Sequence, residues 1–473
     1  MTELEKLFAT KKTENGDVAY KTTGNNLTDL FFMTPYFEKH LDQVKIGTSE
    51  KEKVFSMFIR DPRFGLGRRD LGRELMKQAD VPAYNVVKAG RFDDLWHNPT
   101  QSNLNYLKFA LLKQNELSNS ELAKKWMPRL TGKDKIFAKA LCKEWGISEK
   151  EYRALIKTTS TTEYKLSYAE QDGETTALND LFKKYNYKHP LVNEIDFEKV
   201  PSLAMTKYLH TFSTREDIKP RFEEYIKAVK ENKAKVNTTT TNVHDAYKTA
   251  MSGGWVTQSV EDEARDIVGK KIVESAALNV EMDAICVLDT SGSMYSGWGD
   301  IDFTNMNDIG VKAMSVCHAI ATHSTYAPNQ LISFSSNPHL MTIKGDTLQA
   351  QYKSMYTGDC SNTDFGKVMN LLKGLNKFPQ YIIVMSDMEF DYGSQQSKKE
   401  LMNLFKKYEA PTKLIWWNFN NRNKTIPEFD EYGNIFLSGY NLQILRLLEN
   451  NFDMTTYIDK ILEKYKKDID YKA

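Results

Sequence analysis

Cysteine is scarce in this chain, and its placement excludes several chemistries. Only four occur among 473 residues (Cys142, Cys286, Cys317 and Cys360), far apart and without a C-x-x-C pair. Neither a disulfide framework nor a cysteine-ligated zinc site is therefore expected, and a reducing, cytoplasmic setting follows. Long apolar runs are missing too. No stretch approaches a membrane span, and the N-terminus MTELEKLFATKK has no signal-peptide character, so no membrane partner is expected. The eight histidines are scattered without a cluster, and there is no G-x-S-x-G, no Walker A loop and no H-E-x-x-H. No catalysis is expected from such a chain. Net charge is nearly absent, at +1, whereas dedicated nucleic-acid binders are usually more basic.

What is present is an ordinary composition, 41% hydrophobic and 27% charged, long enough for two or three cores. The charge is unevenly spread. Residues 51–150 carry 20 Lys+Arg against 12 Asp+Glu, whereas residues 281–473 carry 19 against 23. A basic zone thus precedes a slightly acidic one, although solvated helix faces also produce such an imbalance.

The most informative stretch is DAICVLDTSGSM, Asp283 to Met294. An apolar, β-branched run breaking into Asp-Thr-Ser-Gly-Ser reads as a buried parallel strand entering a loop at its carboxyl end, where open α/β sheets bind ligands. Asp289, Ser291 and Ser293 alternate there. One carboxylate and two hydroxyls suit Mg²⁺ or Mn²⁺. The alternative is a polar turn whose serines merely cap the next helix. Further on, Ser361-Asn362-Thr363-Asp364 opens an amphipathic segment, Phe365 to Leu375, and the run YIIVM ends in Ser386-Asp387.

Ahead of this region helical spacing dominates. Leu27–Met33, Glu50–Arg60, Asp70–Ala79, Pro82–Ala89, Leu104–Lys113, Ser120–Met127, Lys133–Trp145 and Glu149–Thr158 are expected helices. Short helices with short connections suggest stacked antiparallel pairs. Residues 1–25 are expected to form a loosely held arm, residues 26–278 a helical-repeat domain with a polar insertion at 158–180, and residues 279–473 an α/β domain. That domain alternates strands (near Leu331–Ser335, Leu340–Ile343, Leu414–Asn418 and Ile435–Leu437) with helices (Asn307–His323, Gln396–Lys407, Asn441–Leu448 and Tyr457–Lys467). The fold class is α plus α/β, the latter doubly wound.

One connection, IRDPRFGLGRRDLGR, holds Arg60, Arg63, Arg68, Arg69 and Arg73 between Gly65, Gly67 and Gly72. Forked guanidinium groups match phosphate and stack on bases, and glycine lets backbone approach a ligand. The competing reading pairs these arginines with Asp61, Asp70 and Glu74. Trp96, Trp126 and Trp145 are candidate stacking residues, although at helical spacing such residues are more often core.

The D-x-S-x-S, Thr and Asp loops together resemble the metal-ion-dependent adhesion site of von Willebrand factor A domains. That resemblance implies that Asp289, Ser291, Ser293, Thr363 and Asp387 ring one Mg²⁺ or Mn²⁺, with a position open for water or a partner's carboxylate. With RDPRFGLGRRDLGRELM, WGISEKEYRALI, EIDFEKVPSLAMTKYLHTFSTREDIKP and KLIWWNFNNR, the chain also looks like an uncharacterised family of plants, fungi and viruses. Its layout is similar to that of the Ro autoantigen (TROVE) proteins: HEAT-like helical repeats, which can close into a ring, followed by a von Willebrand factor A domain. By that resemblance the expected function is a monomeric cytoplasmic protein that binds structured non-coding RNA through the five arginines. The alternative is a scaffold without nucleic acid, whose metal captures an acidic protein partner.

Overall fold

The computed structural model describes residues 10–13, 18–112, 123–124, 126–156, 195–238, 242–252, 260–277, 282–295, 308–356, 361–375, 377–391, 394–408, 412–420, 424, 426–427, 435–440 and 457–471. The expected insertion at 158–180, the expected helix Asn441–Leu448 and Cys360 lie outside the described residues. Two compact units emerge. One comprises residues 1–44, 63–66 and 241–465; the other comprises 45–62, 67–240 and 466–473. No helix among the described residues is long and apolar enough to cross a membrane.

The first unit starts with two short strands, β1 (Thr10–Lys12) and β2 (Val18–Tyr20). Its main sheet is built from β3 (Ala284–Asp289), β4 (Gln330–Phe334), β5 (His339–Thr342), β6 (Tyr381–Ser386), β7 (Lys413–Asn418) and β9 (Ile435–Ser438). A further two-residue strand, β8 (Ile426–Pro427), pairs with β2, so that β1, β2 and β8 make a separate antiparallel sheet. The main sheet runs β5-β4-β3-β6-β7-β9, parallel except for edge strand β5. β3 and β6 are buried along their whole length, as strands covered on both faces must be. Because β3 is first in the chain yet central, its neighbours β4 and β6 lie on opposite sides. The sheet therefore has a topological switch point at the carboxyl end of β3, the position at which open α/β sheets bind ligands.

Of residues 1–25, expected to form a loosely held arm, the described part supplies β1 and β2. Three-residue strands are too short to leave a periodic signal. The helix Asn26–Phe32, capped by Asn25, then packs on the main sheet, with Phe32 edge-on to Phe436 at 4.8 Å and its carbonyl accepting from Asn418 Nδ2 at 2.9 Å. Residues 241–277, which precede the domain boundary expected at 278, fall in the sheet unit. Helices Val243–Met251 and Val260–Ala277 bury Tyr247, Ala250, Val268 and Ile272 and pack with helix Ile309–His323 of the sheet unit.

In that helical layer His318 is buried, its Nε2 at 2.9 Å from Gln351 Oε1 and its ring 4.5 Å from that of Tyr352. Burial depresses its pKa from 6.5 to about 4. The unfolded chain accepts the proton near 6.5 while the fold refuses it until about 4. Stability is therefore complete above pH 6.5 and falls across that window, by about 3 kcal/mol at 1.36 kcal/mol per pH unit. Urea midpoints taken from pH 7.5 to 4 should show this fall, and His318→Gln should flatten it. An equally steep fall in the variant would rule His318 out as its cause.

The second unit is helical: Glu50–Arg60, Arg69–Gln78, Ala83–Ala89, Phe92–His97, Gln101–Leu112, Lys135–Trp145, Glu149–Leu155, Ser202–Thr214 and Lys219–Lys230. Reciprocal side-chain and backbone bonds between Ser49 and Glu52, and between Ser148 and Glu151, begin two of these helices, satisfying otherwise orphaned amides. Gly146, at φ 65°, ends another in the left-handed region. Neighbouring helices pack in sequence, 50–60 on 69–78 and 202–214 on 219–230.

Candidate functional site

The register Leu288↔Met385 sets the carboxyl ends of β3 and β6 side by side, and with them Asp289 and Ser386-Asp387. Both aspartates are fully buried. Asp289 Oδ1 accepts from the Ser291 amide at 2.9 Å, and Oδ2 accepts from Ser386 Oγ at 2.5 Å. Ser386 Oγ in turn accepts from the Met388 amide at 3.0 Å. Met388 has φ 67°, a conformation non-glycine residues rarely adopt and one that tends to sit where surrounding contacts impose it. Asp387 Oδ1 accepts from the Glu389 amide at 3.3 Å.

The hydroxyls converge on the same edge. Ser291 Oγ and Ser293 Oγ are 3.2 Å apart. The Gly292 amide meets the Ser361 carbonyl at 3.4 Å. The carbonyl of buried Thr363 accepts from the Asp391 amide at 3.1 Å. All three loops singled out from sequence are thus tied to one another by hydrogen bonds. Burial, followed by the neighbouring Asp387 charge, pushes the Asp289 carboxyl up to about 7. Two carboxylates so placed stabilise a cation that stands between them. Among the described residues no group of three or more His, Cys, Asp or Glu side chains is placed for a metal. The donor set here is two carboxylates with serine and threonine hydroxyls, which fits a hard ion that keeps water and does not fit zinc.

Sequence reasoning missed two participants. Ser386 was legible as the residue before Asp387, but its clamp on Asp289 depends on strand register. Thr13 left no signal: its Oγ1 donates to the Phe390 carbonyl at 2.9 Å across 377 positions, so the N-terminal strands hold the loop that carries Asp387. A buried hydrogen bond contributes about 1 kcal/mol, and an acceptor left unpaired costs about 1–3. Thr13→Val should destabilise the sheet unit by that order. An unchanged urea midpoint would show that the bond contributes nothing.

The arginine connection is divided. Arg60 is buried, with Nη2 2.8 Å from Asp94 Oδ2. Arg73 Nε donates to Asp94 Oδ1 at 2.5 Å, and its Nη2 to Asp93 Oδ2 at 2.8 Å. Both guanidinium groups are thus engaged by carboxylates of the fold. Their main partners are not the loop's own Asp61, Asp70 and Glu74 but the adjacent acids of helix Phe92–His97, whose nearness sequence order did not show. Gly72 likewise serves packing: a Cβ there would lie 2.6 Å from the Arg60 Cα. Arg63 and Arg69 are exposed and Arg68 is half-buried. Trp96 is core, its indole N–H donating to the Trp126 carbonyl at 2.9 Å, while Trp126 and Trp145 are half-exposed.

Comparison with known proteins adds little about activity. Residues 102–280 match a domain of unknown function (DUF2828), and residues 283–471 match a second one (DUF7788). Neither description assigns a function. The chain is 22% identical over 524 residues to the uncharacterized protein L728 of Acanthamoeba polyphaga mimivirus, covering 96% of this chain and 87% of that protein. Superposition on the crystal structure of the Deinococcus radiodurans RO (RSR) protein gives a TM-score of 0.42 at 10% identity, over 97% of this chain and 96% of that one.

Proposed function

We propose that this chain is an RNA-binding protein of Ro-like layout. In this reading its sheet unit is a von Willebrand factor A-type domain holding Mg²⁺ or Mn²⁺ through Asp289, Ser291, Ser293, Thr363 and Asp387. The observation that supports the metal is the pair of buried aspartates at the switch point of the sheet, with the Ser291 and Ser386 hydroxyls on Asp289. RNA binding is supported by the basic balance of residues 51–150 and by the exposed guanidinium groups of Arg63 and Arg69. The metal's remaining positions would take water or an acidic side chain of a protein partner.

The test is filter binding of a structured non-coding RNA to the full chain at several salt concentrations. Each phosphate contact contributes a log–log slope of roughly −0.7 for single strands. Changing Arg63, Arg68 and Arg69 together to Ala should flatten the slope by about two units and weaken binding across sequences. A melting curve beside it separates the outcomes, since a lowered melting point with an unaltered slope assigns these arginines to structure. The scaffold reading, a metal-dependent partner of acidic proteins without nucleic acid, gains one observation. Arg60 and Arg73, two of the five candidate contacts, are held in ion pairs.

A further inference from the structure

Helix Phe92–His97 buries Asp93 and Asp94 beneath the guanidinium groups of Arg60, Arg69 and Arg73. Arg60 and Arg73 take most of their charge, as described above. Arg69 reaches Asp93 only at 3.8 Å, with its side chain 48% exposed. Arg91, which precedes the helix, gives its backbone N–H to Asp94 Oδ2 at 3.0 Å and leaves its guanidinium elsewhere. That group lies over the indole of Trp126, 4.3 Å from the ring centroid. The exposed Asp70 also approaches the cluster, 4.0 Å from Arg73. Arg69 is the most weakly paired of the three guanidinium groups on these acids, and with Arg91 it forms the outer side of the cluster.

The two outer arginines repel each other: burial first, then the nearby Arg69, hold the Arg91 guanidinium below its usual proton affinity. An anion would relieve that repulsion. The aromatic component narrows which anion. Trp126 is fixed through its carbonyl by the Trp96 indole, and next to Trp96 the exposed His97 stacks at 4.1 Å and meets Phe137 edge-on at 5.4 Å. A carboxylate needs the charges alone. A planar guanidinium stacked on a half-exposed indole, with a second arginine beside it, matches a phosphodiester that carries an unpaired base.

We infer that Arg69, Arg91 and Trp126 form a subsite for single-stranded RNA, in which the two arginines hold a phosphate and the Arg91–Trp126 stack receives the adjoining base. This rests on the RNA reading above and supplies it with residues outside the connection first singled out.

The experiment uses the full chain and a fluorescein-labelled ten-nucleotide adenosine RNA, followed by anisotropy at low and moderate salt. Trp126→Leu and Arg91→Met should each weaken binding about tenfold, the scale of one lost stacked base, with melting points at the wild-type value. Trp126→Phe should keep most of the affinity. Arg91→Lys, which retains charge without a stacking plane, should keep the salt slope and lose affinity. It also serves as the informative variant if Arg91→Met fails to fold. Wild-type affinity in folded Trp126→Leu and Arg91→Lys would overturn the subsite while leaving RNA binding elsewhere intact. No binding by the wild type even at low salt would overturn the RNA reading as well. Equal competition by a ten-residue glutamate peptide, with an abasic strand binding as well as the adenosine RNA, would assign the surface to an acidic protein and overturn the inference.

Discussion

Asp289→Asn is expected to raise the melting temperature of the metal-free chain while abolishing its response to Mg²⁺. An aspartate-to-asparagine change in a core usually weakens a fold. Here the sign reverses because the native residue is one of two carboxylates buried side by side, and removing one charge removes their repulsion and one ion's desolvation. The hydrogen bonds survive. An amide oxygen still accepts from the Ser291 amide, and the amide nitrogen can donate to Ser386 Oγ, whose proton then turns away. Several kcal/mol of strain relief is the order to expect for a charge so buried, and about 1 kcal/mol moves the melting point of a unit this size by about 2–4 °C. In the wild type, Mg²⁺ at a hundred times its dissociation constant should add about 2.7 kcal/mol; in the variant it should add nothing. Scanning calorimetry with EDTA and then with Mg²⁺ reads both effects. A variant that melts lower in EDTA and still responds to Mg²⁺ would falsify the placement of Asp289 in a metal centre.

The sheet and the loops at its carboxyl edge were legible in the sequence because each strand has its own local signature. AICVL and YIIVM are apolar runs that stop at polar loops, and burial on both faces is what such runs encode. The order of strands follows from right-handed crossovers once the strands are known. The tie between Asp289 and Ser386 was only half legible: both residues stood out or adjoined ones that did, but their hydrogen bond spans 97 positions and depends on register. Thr13 was illegible, since nothing within ten residues of it foretells a partner at Phe390.

The arginine connection shows a different limit. Composition and glycine content there fit a phosphate-binding loop as well as a crossing of two helices. What decides between them at Arg60 and Arg73 is the position of Asp93 and Asp94, twenty to thirty-four residues away in sequence. Local pattern cannot tell a guanidinium kept for a ligand from one held by an acid on the next helix but two. At the same time, Trp126 stood out only as one of three candidate stacking residues and Arg91 not at all, because the ring and the cation are thirty-five positions apart and meet only through the fold.

The strongest destabilisation in the helical unit is expected from Asp94→Ala. Its carboxylate is the common acceptor of Arg60, Arg73 and the Arg91 amide. The chain makes room for it with Gly90, where a Cβ would come within 2.0 Å of Asp94 Oδ2. Truncation leaves the buried Arg60 guanidinium without a counter-charge, a defect that costs about 3–5 kcal/mol. Replacing the pair together is different. Arg60→Met with Asp94→Leu removes both charges and fills much of the volume, so the double variant should recover most of the loss, as buried pairs exchanged for apolar groups often do. Urea denaturation of the two single variants and the double one gives the coupling directly. A coupling near zero, with RNA affinity lost in Arg60→Met alone, would return Arg60 to the list of RNA contacts. A coupling of several kcal/mol with the RNA salt slope unchanged would assign the buried half of this arginine cluster to the fold, leaving ligand binding to the arginines at its rim.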